Sequence, residues 1–181
     1  MKLKFFGAAK GVTGSCYSLV TRDNKILVDC GMFQGNKDME RMNYEDFNFN
    51  PKEYRSLILT HAHLDHCGRI PKLVKYGFSG KIFATPATQD LAFVIMMDSA
   101  KIAKEDTENE NKRREKEGLP LRKPIYSEID VRNAMKLFIG VEYGEEARIS
   151  KNISAKFYDA GHILGSACVQ LKVKERGKTQ I

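Results

Sequence analysis

The sequence predicts an α/β domain, and three observations carry that prediction. Short apolar runs of strand length alternate along the chain with stretches whose apolar residues recur at helical spacing. One run, Ser56-Leu57-Ile58-Leu59-Thr60, is apolar through its middle, as in a strand covered on both faces. A later one, Val169, Leu171 and Val173 with Gln170, Lys172 and Lys174 between them, alternates as a strand covered on one face does.

Taken in order, residues 2–6, 16–21 and 25–29 read as three strands, the last two joined by a tight turn at Asp23-Asn24. Gly7, Gly11 and Gly14 mark the loop after the first strand. Their spacing is not that of a dinucleotide fingerprint, and a strand follows instead of a helix. The loop either lets backbone approach a site or simply connects. Residues 56–60 form the next strand and deliver the chain into His61. A helix follows the histidines, through Ile70, Leu73 and Val74, and then a strand at 81–84. Pro86 opens a helix whose apolar face is Leu91, Ala92, Val94, Ile95 and Ala103. From Lys101 to Arg122 the chain is a solvated, mixed-charge helical arm ended by Gly118 and Pro120. Residues 128–138 form an amphipathic helix through Ile129, Val131, Ala134, Met135 and Phe138. Strands return near 141–143, 147–149, 153–158 and 169–173. After the turn at 175–178 a second hairpin strand starts and the chain ends, so the expectation is a fragment of a longer protein.

Composition narrows the function classes. The chain has 181 residues, 42% hydrophobic and 29% charged, with a formal net charge of +7. That is enough for a real core without staples. No run has the length of a membrane span and the N-terminus is no signal peptide, which points to the cytoplasm and away from a membrane. Cys16, Cys30, Cys67 and Cys168 form no paired motif and are expected to be reduced. Cys67, next to His66, reads better as a small buried thiol than as a ligand. The positive excess is spread along the chain. Only Lys172, Lys174, Arg176 and Lys178 make a locally basic stretch, which fits an exposed hairpin face as well as an anionic partner.

Chemistry concentrates in the histidines. Of the 4 in the chain, three lie in His61-Ala62-His63-Leu64-Asp65-His66, and the last is His162, in Gly161-His162-Ile163-Leu164-Gly165-Ser166. In an extended segment His61 and His63 point to one side, and Asp65 continues the series. Without a metal, three imidazoles and a carboxylate crowded together would repel one another or stay unsatisfied. This is not the helical H-E-x-x-H pattern. Asp29, at the end of its strand, is either a turn cap or a carboxylate that orients the site.

The H-x-H-x-D-H hexapeptide resembles that of the metallo-β-lactamase-fold hydrolases. Gly7–Cys16, Leu27–Gly35 and Asp159–Ala167 resemble the β-CASP branch, the RNA-processing nucleases. The resemblance implies an αββα sandwich of which this chain is the N-terminal part only, with residues 1–181 a partial metallo-β-lactamase domain. It implies that His61, His63 and His162 bind one Zn2+, that Asp65 and His66 bind a second, and that Asp29 orients them. A bridging aspartate, a later histidine and the β-CASP domain would lie beyond Ile181. The implied reaction is hydrolysis of RNA by water activated between two cations about 3.5–4 Å apart, with Asp65 orienting the nucleophile.

Two alternatives stay open: hydrolysis of a small thioester, lactone or phosphodiester, and a noncatalytic RNA-binding subunit. For residues 1–181 alone the expectations are one or partial metal occupancy and little turnover. Self-association through exposed sheet edges is also expected, a possible homo-oligomer.

Overall fold

A computed structural model describes residues 1–181. The first three predicted strands form as β1 (Lys2–Phe5), β2 (Tyr17–Val20) and β3 (Lys25–Val28). After a short helix α1 (Lys37–Arg41) comes β4 (Ser56–Ile58), then two short helices, α2 (Leu64–Cys67) and α3 (Ile70–Lys75), and β5 (Lys81–Ala84). The long helix α4 (Pro86–Lys116) and α5 (Glu128–Met135) precede β6 (Phe138–Gly140), β7 (Glu146–Arg148), β8 (Ile153–Asp159), β9 (Ala167–Glu175) and β10 (Lys178–Gln180).

Strands β1 to β6 make a six-stranded sheet in sequential order, antiparallel through β3 and parallel from β3 to β6. Strands β7 to β10 make a four-stranded antiparallel sheet. The apolar run at β4 is explained by its two neighbours. Leu57 and Leu59 enter a core shared with α3, α4 and α5, while Ile58 enters a second core with Phe157, Ile153 and Val173 of the other sheet. Strands β3 and β5 divide in the same way, with Leu27 and Ile82 on the helix side and Ile26 and Phe83 on the sheet side. The result is three layers: helices, six-stranded sheet, four-stranded sheet. The outer face of the four-stranded sheet carries no helix.

Several local expectations change. Asp65 does not continue an extended alternation, because the chain is already helical at Leu64. The apolar face of α4 keeps Leu91, Ala92 and Ile95 against the core, as expected, but Val94 leaves it. Ala92, Met96 and Ala100 are buried, whereas Val94 is 60% exposed. The charged arm is not separate but continues α4 as one helix of 31 residues. Ile129 lies on the solvent side of α5 at 69% exposure, and Phe138 leaves that helix to start β6. The strand expected near 141–143 therefore lies three residues earlier. Helix α5 ends at Met135, and its start is set by a reciprocal cap between Ser127 and Asp130. No helix is long and apolar enough to cross a membrane.

Candidate metal centre

The parallel strands β3 and β4 run side by side, and the site is built just beyond their carboxyl ends, the usual place in such sheets. Asp29 follows β3, and Thr60 and His61 follow β4. Two backbone contacts bring the histidine loop against the β3 loop: Cys30 N donates to His66 O at 2.8 Å and Met32 N to Leu64 O at 3.0 Å. Ser15 N reaches Asp65 O at 2.8 Å, so the glycine-bearing loop after β1 also supports the site by its backbone. Gly31 is required here by space: a Cβ on it would lie 1.6 Å from Asp65 O.

His162 arrives from the other sheet, on the loop between β8 and β9. Ala167 N donates to Thr60 O at 2.9 Å and ties the end of that loop to the end of β4. The loop is then clamped from inside and outside. Ser166 Oγ accepts from the backbone N–H groups of His162 and Ile163, both at 3.2 Å. The hydroxyls of Thr85 and Thr88, at the start of α4, both donate to Gly165 O at 2.7 Å. Tyr143 OH donates to Ser166 O at 2.8 Å.

The outcome is a cluster of His61, His63 and His162 whose ligating atoms all lie within 4.8 Å of one another. His162 Nε2 and His63 Nδ1 are 3.1 Å apart. Two nitrogens that each bind one tetrahedral zinc at about 2.0–2.1 Å sit close to that separation. Beside them His66 Nε2 lies 3.7 Å from Asp65 Oδ2, and the rings of His61 and His66 are 3.9 Å apart between centroids. The sequence-derived residues therefore converge as a three-imidazole set and an adjoining Asp/His pair. The donor chemistry fits two borderline cations such as zinc.

Asp29 is 2% exposed and sits in the left-handed region at φ 58°. Its carboxylate is saturated by hydrogen bonds. It accepts from Thr60 N at 2.9 Å, Thr60 Oγ1 at 3.0 Å and Ser15 Oγ at 3.2 Å, and lies 2.8 Å from His66 Nδ1. Thr60 Oγ1 is also 3.0 Å from His61 Nδ1. If the threonine hydroxyl donates to Asp29, His61 must donate to the hydroxyl, which leaves its Nε2 lone pair free. One carboxylate thus selects the tautomer of two histidines. Asp29 thus links His66 directly, and His61 through Thr60, to one buried carboxylate.

Burial pushes His61 down to about 4, helped by the neighbouring imidazoles of His66, His63 and His162, so the ring is neutral at neutral pH and able to ligate. Burial also opposes charge on His66, but the hydrogen bond and charge of Asp29, with Asp65 nearby, outweigh it and raise that histidine. Cys67 turns away and donates to Ala62 O at 3.2 Å, and burial drives its thiol well upward, so it is a packing residue. Thr60, Ser15, Thr85, Thr88 and Tyr143 carry no motif of their own. Only the position of Thr60, immediately before His61, could have suggested its part.

A family model described as the metallo-beta-lactamase superfamily matches residues 9–82, which include Asp29 and the whole hexapeptide. Ribonuclease TTHA0252 of Thermus thermophilus is 39% identical over 169 residues, 93% of this chain. The chain belongs to the metallo-beta-lactamase superfamily. Transcription termination factor FttA of Methanocaldococcus jannaschii is 34% identical over 175 residues, and an RNase J-like protein of the same organism is 34% identical over 171. The chain spans 34%, 25% and 33% of the lengths of these three proteins. Among solved structures it resembles the subclass B3 metallo-beta-lactamase MEM-A1 from a soil metagenome library, with TM-score 0.54 and 17% identity over 98% of this chain and 57% of that one. GOB-18 from Elizabethkingia meningoseptica gives TM-score 0.52 at 19% identity, over 98% of this chain and 55% of its own. These structural likenesses concern the fold alone.

Proposed function

We propose that this metallo-beta-lactamase domain is the cation-binding part of a zinc-dependent ribonuclease of the β-CASP branch, acting in RNA processing or degradation in the cytoplasm. The observation that carries the reading is the convergence of His61, His63 and His162, from two different sheets, beside the Asp65/His66 pair. The names of the relatives, a ribonuclease and an RNase J-like protein among them, supply RNA as the substrate class.

In this reading His61, His63 and His162 hold one zinc and Asp65 and His66 hold the other. When bound, such cations polarise a phosphoryl oxygen and lower the pKa of water to near neutrality. The chain's own work is positional. Asp29 and Thr60 hold Nδ1 of His66 and His61, so that Nε2 is the atom each neutral ring offers, and the Ser166 hydroxyl holds the His162 backbone. Asp65 is placed to accept a proton from, and orient, the attacking water. Residues 1–181 are a partial domain that relies on a bridging carboxylate and the RNA-clamping domain from further sequence, so this chain by itself binds metal incompletely and turns over little.

The test is zinc-dependent cleavage of single-stranded RNA by the full-length protein and by its His63→Ala variant. Cleavage lost in the variant, with the fold retained, supports the reading. Wild-type cleavage by the variant, or hydrolysis of thioesters or lactones without cleavage of RNA, would remove it. Tight binding of two zinc ions by residues 1–181 would overturn the incompleteness of the site in this chain.

A further inference from the structure

The histidines of the cluster are not held alike. His61 and His66 each have a ring partner outside it, Thr60 Oγ1 at 3.0 Å and Asp29 Oδ2 at 2.8 Å from Nδ1. His63 stands at the start of α2, where its carbonyl accepts from His66 N and Cys67 N at 2.9 Å, so that helix fixes its backbone. The exposed ring of His162 makes its one hydrogen-bond contact with His63 Nδ1, inside the cluster. No other side chain aims it. Its place is therefore set through the backbone of residues 160–166, a loop shaped by Gly161 and Gly165, both left-handed at φ 63° and 81°.

That loop is held from the start of α4. Strand β5 runs parallel to β4 and in register with it, so Thr85 leaves the sheet beside the strand that delivers His61. Thr85 caps α4 by accepting from Thr88 N at 3.2 Å, which sets the two hydroxyls side by side. Both donate to Gly165 O at 2.7 Å. A carbonyl has two lone pairs, and filling both fixes the plane of the Gly165–Ser166 peptide. Beyond that peptide, Ser166 Oγ accepts from His162 N and Ile163 N, both at 3.2 Å. A short relay of hydrogen bonds thus runs from α4 to the His162 backbone. Thr85 is 3% exposed and Thr88 0%, so water does not compete for it. Thr107, on the same helix, shows the ordinary fate of a buried threonine hydroxyl: it donates one turn back, to Ala103 O at 2.6 Å. Thr88 instead reaches out of its helix.

We infer that Thr88, with Thr85 beside it, is a positioning residue of the metal centre. Its hydroxyl sets, through the Gly165–Ser166 peptide and the loop, where the His162 imidazole stands opposite His61 and His63. A zinc–nitrogen bond of about 2.0–2.1 Å tolerates little displacement, so a loosened loop offers its imidazole less often. This role presupposes the cation-binding reading above, but not RNA as the substrate.

The experiment is zinc affinity of the full-length protein by competition with a chromophoric chelator, with the visible spectrum of the cobalt(II) form and melts of the metal-free protein. Thr88→Val keeps the shape of the side chain and removes the donor, whereas Thr88→Ser keeps the donor. Thr107→Val makes the same change on the same helix, away from the His162 loop. Thr88→Val is expected to weaken zinc binding about 10-fold, the low end for an outer partner of a ligating histidine, because Thr85 and Tyr143 still hold the loop. Its cobalt d–d bands should shift or weaken, and Thr88→Ser should restore both readings. Thr107→Val should melt at a similarly lowered temperature yet keep the affinity and the spectrum of the wild type. Wild-type affinity in Thr88→Val would overturn the role, and so would an equal loss in Thr107→Val or a failure of Thr88→Ser to rescue. If Thr88→Val does not fold, Tyr143→Phe decides: it removes the partly exposed strut on Ser166 O, and unchanged affinity and spectrum would overturn positioning through the loop. A wild type that binds no zinc would remove the metal-centre reading and this role with it. Affinity that follows Thr88 in a protein that cleaves no RNA would support the role and remove the ribonuclease reading.

Discussion

His66 Nδ1 lies 2.8 Å from Asp29 Oδ2, and this contact leaves the opposite nitrogen of the ring, Nε2, to face Asp65. A carboxylate that need touch no cation therefore governs which atoms are offered to one. It does so through the Thr60 hydroxyl as well, at 3.0 Å from both the carboxylate and His61 Nδ1.

Asp29→Asn should accordingly weaken zinc binding by about 10- to 100-fold, the range typical when the partner of a ligating histidine is lost. Competition with a chromophoric chelator measures it. An unchanged affinity would mean that Asp29 serves only the turn.

Gly165→Ala should disturb His162 from a distance. Gly165 has φ +81°, and a Cβ there would lie 2.4 Å from the backbone N of Thr88. Both the backbone conformation and the clamp on its carbonyl are incompatible with a side chain, at a cost of at least about 1–3 kcal/mol. The expected result is a lower urea midpoint together with weaker zinc affinity. Loss of stability with full affinity would separate the clamp from the site.

Gly31→Ala should be more severe. The obstacle at 1.6 Å is the carbonyl of Asp65, which no rotamer change can clear. A loss above about 4 kcal/mol, seen as insoluble or unfolded protein, is expected. Gly11→Ala, whose Cβ would meet nothing nearer than Met39 at 3.7 Å, should behave as wild type in the same assay.

Lys72 gives a pH dependence away from the metal centre. It is 2% exposed, donates to Asn43 O at 2.7 Å and to Glu45 O, and lies 5.2 Å from the Phe47 ring centroid. Burial, aided by the Arg69 charge, pushes it down to about 8 from its ordinary 10.5. Between those values the unfolded chain holds the proton that the folded one releases, so stability rises with pH in that window, and the cost of the buried charge is present in full below it. The difference in unfolding free energy between wild type and Lys72→Met should therefore shift in favour of the wild type from pH 8 to 10. A flat difference would contradict the assignment.

How far the sequence foretold this arrangement depends on the range of each cause. Strands β1 to β5 are legible because they are short apolar runs of strand length, β4 apolar through its middle. His61, His63, Asp65 and His66 were legible because one hexapeptide contains them. The face of α4 is legible only in part, since Leu91, Ala92 and Ile95 pack on the core whereas Val94, equally apolar, faces solvent. The boundary at Phe138 is not legible because an apolar residue fits a helix face and a strand equally well. Thr60, Thr85, Thr88 and Tyr143 act through single hydrogen bonds between segments distant in sequence, and no local pattern encodes such bonds.

The distance of His162 from the other histidines has a consequence for how the protein folds. It meets His63 across 99 positions of chain, whereas the Asp29 and hexapeptide loops are joined by backbone bonds within the first sheet. Closing so long a loop is slow and is compensated only once the two sheets have docked. The third imidazole therefore joins the cluster late, and a zinc ion that needs all three recognises the assembled sandwich and neither sheet alone. Metal uptake followed in time would report the final docking step of folding, and a saturating metal would hold that step closed.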